Sequence, residues 1–323
     1  MRRREPDCMR IADDKPTDKK RFADVYGYKF DKLRRETMDW FKTQELILMP
    51  FNSGGNQYGY GSMLVCPKQC AFFAFALAHL QGFVSAEETE GYKPRAIIYV
   101  APPFRHTHFD GKQVVVHNRL DDCHEVFSYN LYPGPSAKKC LLRTARHWRA
   151  GGWTTCHTSA GRLITPYENE LVIMHEGASG GGKSEMLQDI AREPDGEVLL
   201  STNTVTGEKT YLHISSTCKI EPVCDDMATC YPGVQNNSGK LVLVDGEDGW
   251  FLRMDGVTHY GCDPVYERIC TEPKEPLCFF NMEGHPGATL LIWEHTLDSN
   301  GKPCSNRVPS CRAGMFRTSS RSR

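Results

Sequence analysis

The chain has 323 residues, enough to bury a full core and to fold as two lobes. Its 39 Lys and Arg against 40 Asp and Glu leave a formal charge of -1, which excludes the general basic stripe of a protein that lives on nucleic acid. No apolar run reaches the roughly 18 residues of a membrane-crossing helix, and no secretory pattern accompanies the 14 cysteines. These thiols therefore read as reduced and mostly buried, and the expected location is cytoplasmic, with small-molecule partners and no membrane or nucleic acid. Oligomeric state is left open.

Residues 1–20 are dense in charge with almost nothing to bury, and they read as a mobile leader. Next, FDKLRRETMDWF (30–41) predicts a helix, and ELILMPFNSGGNQYGYGSMLV (45–65) predicts strand, Gly-rich turn and strand. AFFAFALAHLQGF (71–83) fits a buried helix. KPRAIIYVAPPF (93–104) is a buried strand ended by two prolines, and KQVVVHN (112–118) is another strand. Short apolar strands between irregular polar stretches predict an α/β fold class, with mixed sheets covered by helices. Residues 21–155 form the expected N-terminal lobe, and 156–312 the second, with an insert near 193–238 and a loose tail over 313–323. At the end of the first lobe, YPGPSAKKCLLRTARHWRA (132–150) carries Lys138, Lys139, Arg143, Arg146 and Arg149 at helical spacing. A solvated face explains most of them, and an anion site could recruit one or two.

The strongest signal follows in LVIMHEGASGGGKSEMLQDI (171–190), which reads as buried strand, glycine loop and helix. Gly177, Ala178, Ser179, Gly180, Gly181, Gly182, Lys183 and Ser184 satisfy GxxxxGKS. Glycines let backbone N–H groups turn inward around phosphate oxygens. Lys183 would then meet the transferable phosphate as a point charge, and the Ser184 hydroxyl would help hold the divalent metal that bridges phosphates. A nucleotide or other polyphosphate is the expected ligand. Such a loop needs a metal-directed acid at a strand end, and Leu241 to Val244 deliver Asp245, Glu247 and Asp248 to one. His157 lies in the polar stretch GGWTTCHTSAG ahead of the loop; spacing does not choose between it and the pairs His106 with His108 or His117 with His124.

The order of these motifs resembles the phosphoenolpyruvate carboxykinase family, especially its ATP-dependent class, over about residues 130–310. CHTSAG (156–161) is similar to the family's HCSAN-like stretch, GASGGGKSE (177–185) to its P-loop, and VDGEDGW (244–250) to its GDDEHGW segment. YPGPSAKKC (132–140) resembles YGGEMKKG, and SNRVPS (305–310) resembles NTRVSYP. The resemblance implies that Lys139 and His157 ligate the catalytic metal, usually manganese, and that Ser184 binds the nucleotide's magnesium or manganese. It also implies that Tyr132 faces the substrate and that Arg307 pairs with the transferred phosphoryl group. A metal-ligating Lys139 must be neutral, its pKa lowered by the cation and by Lys138. The implied reaction is decarboxylation of oxaloacetate and phosphorylation of the product by ATP, GTP or pyrophosphate.

Three departures accompany the likeness. The second Asp of GDDEHGW falls at Gly246, a long insert separates loop and acidic motif, and the chain is shorter than family enzymes. Asp225 and Asp226 of the insert's EPVCDDMATC could return to the site, although a surface excursion is equally open. The length implies either a fragment or lost base recognition. GKSE (182–185) also resembles HPr kinase, so another kinase is the alternative, and a non-catalytic nucleotide-binding protein or complex subunit is a third.

Overall fold

The helix over residues 30–41 is set by the 3.6-residue period, which buries about one side chain per turn. The computed structural model describes residues 7–101, 108–130, 152–177, 181–187, 193, 195–213, 218–247, 250–253 and 307–310. Tyr132, Lys139, Ala178, Ser179, Gly180 and the basic segment 132–150 lie outside the described residues. In chain order, the first half contains β1 (Met9–Ile11), α1 (Phe22–Tyr26), α2 (Phe30–Phe41), β2 (Leu46–Ser53), α3 (Gly55–Tyr58), β3 (Tyr60–Pro67), α4 (Ala71–Gln81), β4 (Ala96–Ala101), β5 (Val114–Arg119) and β6 (His124–Tyr129). The expected helices at 30–41 and 71–83 and the expected strands around 46–67, 96–101 and 114–118 are therefore present.

These strands form one six-stranded sheet in the order β1-β5-β6-β4-β3-β2. It is mixed: β1 with β5, β3 with β4 and β4 with β6 run parallel, while β2 with β3 and β5 with β6 run antiparallel. Both faces are covered. On one face α4 sets Phe73, Leu77 and Leu80 against Leu64, Ile98, Val100, Val115 and Val126. On the other, α1 and α2 set Phe22, Phe30, Leu33 and Phe41 against Val114, Val116, Phe127 and Tyr129. Each such fully buried side chain contributes about 1.5–3 kcal/mol. In α2 the buried Phe30, Leu33, Thr37 and Phe41 recur at helical spacing, and the Thr37 hydroxyl meets the Tyr129 hydroxyl at 2.8 Å.

Residues 9–11, expected within a mobile leader, instead form edge strand β1, with Cys8 and Ile11 buried. The reason is a long-range ion pair. Arg119, at the end of β5, donates from Nη2 to Asp13 at 2.6 Å and from Nε at 2.9 Å, and also to the Lys15 carbonyl at 2.9 Å. The charge in this segment is thus satisfied by the sheet as well as by solvent.

The second half is built from smaller sheets. It contains β7 (Thr154–Cys156), β8 (Thr158–Ile164), β9 (Glu170–Glu176), β10 (Val198–Thr202), β11 (Lys209–Leu212), β12 (Lys219–Cys224), β13 (Ala228–Cys230), β14 (Val244–Asp245), β15 (Trp250–Arg253) and β16 (Arg307–Ser310). Three antiparallel strands run β12-β8-β9, three run β14-β13-β7, and β10-β11 and β15-β16 are two-stranded. The architecture is accordingly a mixed α/β fold with several sheets and helices. Two expectations change here. β9, read as a buried strand, is an edge strand with Leu171, Val172 and Met174 exposed. The insert is no surface excursion throughout, because its β12 pairs with β8 at the edge of one sheet and its β13 lies between β14 and β7 in another. Among the described residues, no helix is long and apolar enough to cross a membrane.

Burial alone would push the Asp13 carboxyl up, but the hydrogen bonds from Arg119 outweigh it and hold the group below the usual carboxylate range. A lowered folded-state pKa contributes stability above the unfolded value and loses it as pH falls. Asp13→Ala is expected to destabilise the chain by about 1–3 kcal/mol at neutral pH. In urea titrations the gap from wild type should be full above about pH 4 and narrow below it.

Candidate functional site

His157 sits on the single residue that joins β7 to β8, so its ring is placed by two strands at once. The backbone around it is held by hydrogen bonds from two sides. Gly177 donates to the His157 carbonyl at 3.3 Å, and Thr158 donates from its amide to the Asp226 carbonyl at 3.1 Å. The Thr158 hydroxyl donates to the His175 carbonyl at 2.8 Å, and the Ser159 hydroxyl to the Lys183 carbonyl at 2.7 Å. Neighbouring residues in β8 thus hold the strand before the glycine loop and the residue at its end. Ser159 and Thr158, both buried, support the cluster without having stood out in any motif; their only signal was a Ser/Thr-rich strand beside the loop.

Behind Lys183 the chain makes a tight turn, and the rest of the helix expected over 185–190 lies outside the described residues. Gly182 has φ 82, Met186 donates to the Gly182 carbonyl at 3.2 Å, and a short 3-10 turn covers Glu185–Leu187. This turn packs on Gly161 of β8, where an added Cβ would meet Leu187 Cδ2 and Ile220 Cγ2 at 3.2 Å each. The small residue in CHTSAG is what lets the turn approach the sheet.

Two acids of the insert return to this point. The Ser184 hydroxyl donates to Asp225 Oδ1 at 2.8 Å, and Asp225 is 2% exposed. His157 Nε2 lies 2.7 Å from Asp226 Oδ1, and Lys183 Nζ lies 3.9 Å from the same oxygen. Lys183 is itself buried. Asp226 holds a positive φ of 66, and Met227 donates back to the Asp225 carbonyl at 2.8 Å, so successive carboxylates face different partners across one turn. The structure therefore brings together Lys183, Ser184 and His157 from the expected set, and adds Asp225 and Asp226.

Asp245 and Glu247 occupy the adjoining strand end. Asp245 pairs in register with Ala228 of β13, Glu247 donates its amide to Asp245 Oδ1 at 3.3 Å, and Glu247 is 3% exposed. They stand behind Met227, whereas the carboxylate bonded to Ser184 is Asp225. Gly177, Gly181 and Gly182 flank the undescribed part of the loop. Arg307 opens β16, opposite Arg253 of β15. His117 and His124 instead meet each other inside the first sheet, ring nitrogens 3.0 Å apart.

Chemically, the cluster sets a hydroxyl, an imidazole and an ammonium against two buried or partly buried carboxylates. Oxygen donors of this kind suit magnesium or manganese, and an imidazole beside a carboxylate suits manganese. Among the described residues, no group of three or more His, Cys, Asp or Glu side chains is already arranged as a metal cage. A polyphosphate-bound cation needs fewer protein ligands, because phosphate oxygens and water complete its shell.

Gly246 has its own steric account. Its amide donates to the Met227 carbonyl at 3.0 Å, and a Cβ there would lie 3.2 Å from that same oxygen. An aspartate at this position has no room without moving the turn that carries Asp226. Gly246→Asp is expected to cost about 1–3 kcal/mol in chemical denaturation and to gain no manganese affinity.

A family model described as a domain of unknown function (DUF4914) matches residues 1–317. No curated protein matches the chain.

Proposed function

Given that the chain belongs to this family, we propose that it binds a polyphosphate at Lys183 and Ser184 and transfers a phosphoryl group from it with a divalent metal ion. The scaffold would be a P-loop fold of the phosphoenolpyruvate carboxykinase kind. The observation that carries the reading is the convergence of Ser184, Lys183 and His157 on the adjacent carboxylates of Asp225 and Asp226. A GKS loop requires a metal-directed acid beside its serine, and Asp225 stands in hydrogen-bond contact with that hydroxyl.

Each residue then has a role that follows from its contacts. Asp225 fixes the Ser184 hydroxyl, and together they would hold the cation that accompanies the phosphates. His157 and Asp226 share a 2.7 Å contact, and both can ligate one cation once the shared proton is released, which suits manganese. When bound, the metal supplies positive charge to the phosphoryl oxygens and acceptor. Lys183 rests near Asp226 and would turn to an arriving phosphate oxygen, a charge-assisted contact strengthened by its burial. Asp245 and Glu247 would act behind this layer, keeping the turn at Met227 in place. Lys139, Tyr132 and Arg307 keep the roles that the resemblance implies: metal ligand, substrate contact and phosphoryl partner.

For the substrate we favour oxaloacetate, which would lose carbon dioxide and leave an enolate oxygen to take the phosphoryl group from ATP, GTP or pyrophosphate, because the motif order follows the carboxykinases. A kinase acting on another acceptor is the second reading, favoured by Glu185 directly after Ser184. The assay is consumption of oxaloacetate with manganese and each donor in turn. Polyphosphate binding without consumption by any donor would end the carboxykinase reading and leave the kinase one.

Lys183→Met keeps the aliphatic stem in its buried seat and removes the charge. Its affinity for pyrophosphate or magnesium–ATP, measured by calorimetry, is expected to fall roughly 10- to 100-fold with circular dichroism unchanged. Asp226→Asn and His157→Ala are each expected to lose manganese affinity, read from the paramagnetic resonance of free manganese. Unchanged binding in both variants would remove the metal role of the pair.

A further inference from the structure

Cys156 closes β7 and Cys230 closes β13, and their sulfurs lie 3.9 Å apart across the antiparallel strand pair. The residues are 74 positions apart in sequence, so their meeting is a product of the tertiary fold. Both side chains are half-buried, which leaves them within reach of a small oxidant. They also adjoin the site directly. His157 follows Cys156, and Asp226 lies two residues before β13, at the end of the pair where Ala228 faces Cys156.

We propose that Cys156 and Cys230 are an oxidisable dithiol whose disulfide weakens the adjoining phosphate site. Hydrogen peroxide converts one thiol to a sulfenic acid with release of water; the other sulfur attacks it, the S–O bond breaks, and a second water leaves. The two thiols together lose two electrons, which the peroxide takes, and a dithiol reductant reverses the change. Cys156 pairs in register with Ala228 and Cys230 with Thr154, so the two sulfurs meet on a diagonal; a covalent S–S bond is far shorter than the 3.9 Å contact, and closing it pulls Cys156, directly before His157, along β13. His157 and Asp226, 2.7 Å apart, span the near end of the same strands and are shifted against each other. Burial, the facing Cys230 thiol and the Glu176 carboxylate push the Cys156 thiol up to about 11.

The test uses the full chain, held in hydrogen peroxide for hours and then alkylated with N-ethylmaleimide. Peptide mapping is expected to yield a 156–230 disulfide-linked peptide that dithiothreitol abolishes and that Cys230→Ser never forms. Pyrophosphate affinity of the oxidised chain is expected to fall about tenfold, within the usual range for coupled sites, and to recover on reduction. Cys230→Ser should keep its affinity throughout. This binding arm rests on the phosphate-site reading, so the His157 ring resonance is followed as well and is expected to shift on oxidation. A reduced chain that binds no pyrophosphate, yet forms the bridge and shifts His157, sinks the phosphate reading and upholds the redox couple. Absence of the bridge, or a bridge that leaves both His157 and any affinity unchanged, overturns the proposal.

Discussion

The turn from Asp225 to Met227 is the constraint on which the second half of the molecule depends. Asp226 holds a left-handed backbone at φ 66, a conformation that costs a non-glycine residue about 1–3 kcal/mol unless its surroundings over-determine it. Here they do. Asp225 receives the Ser184 hydroxyl, Asp226 meets His157, and the Asp226 carbonyl receives the Thr158 amide. Met227 donates to Asp225 and accepts from Gly246, so the strand on either side is also fixed. Backbone strain at one residue is offset by contacts to three separate segments.

The same turn joins the site to the large sheet. Met227 is buried with Tyr60 and Ala96, the residues that open β3 and β4, and Trp153 packs beside them. Trp153 stacks on Tyr231 with ring centroids 4.4 Å apart and planes 9° from parallel, and it also meets Tyr58 at 5.7 Å. The acidic turn is therefore backed by rigid aromatic and strand packing rather than by solvent, which is the condition for holding charged groups at set distances. The cysteine pair adds a second tie between β7 and β13, one whose strength depends on oxidation state.

Within the site, charge is arranged before any ligand arrives. Lys183 and Asp225 are buried, and each already has an opposing or hydrogen-bonding group, as buried charge requires. An incoming polyphosphate with its cation would exchange these internal partners for new ones of the same sign, so binding need not create a buried charge from nothing. The arrangement would be one of substitution, in a setting less polar than water.

Local pattern was enough wherever burial repeats with the period of the element. Phe30, Leu33 and Phe41 mark α2, the apolar run from Ala71 marks α4, and the β-branched runs of β4 and β5 mark central strands. β6 escaped notice because HEVFSY alternates with His124 and Glu125; its burial depends on Arg34 of α2, 91 positions away, which neutralises Glu125 through two hydrogen bonds. The charged segment before residue 20 misled for the same reason, since Arg119, its partner, is 106 positions from Asp13. In the site, the sequence by itself determined that a GKS loop with Lys183 and Ser184 follows a strand, and it offered Asp245 at a strand end and Asp225 with Asp226 in the insert as acids that could meet it. Only the tertiary structure decided which acid meets Ser184, because that choice rests on strand register, on the left-handed turn at Asp226 and on the space denied by the Met227 carbonyl at Gly246. Contacts between residues tens of positions apart leave no trace in local periodicity, and at this site they set which side chains meet.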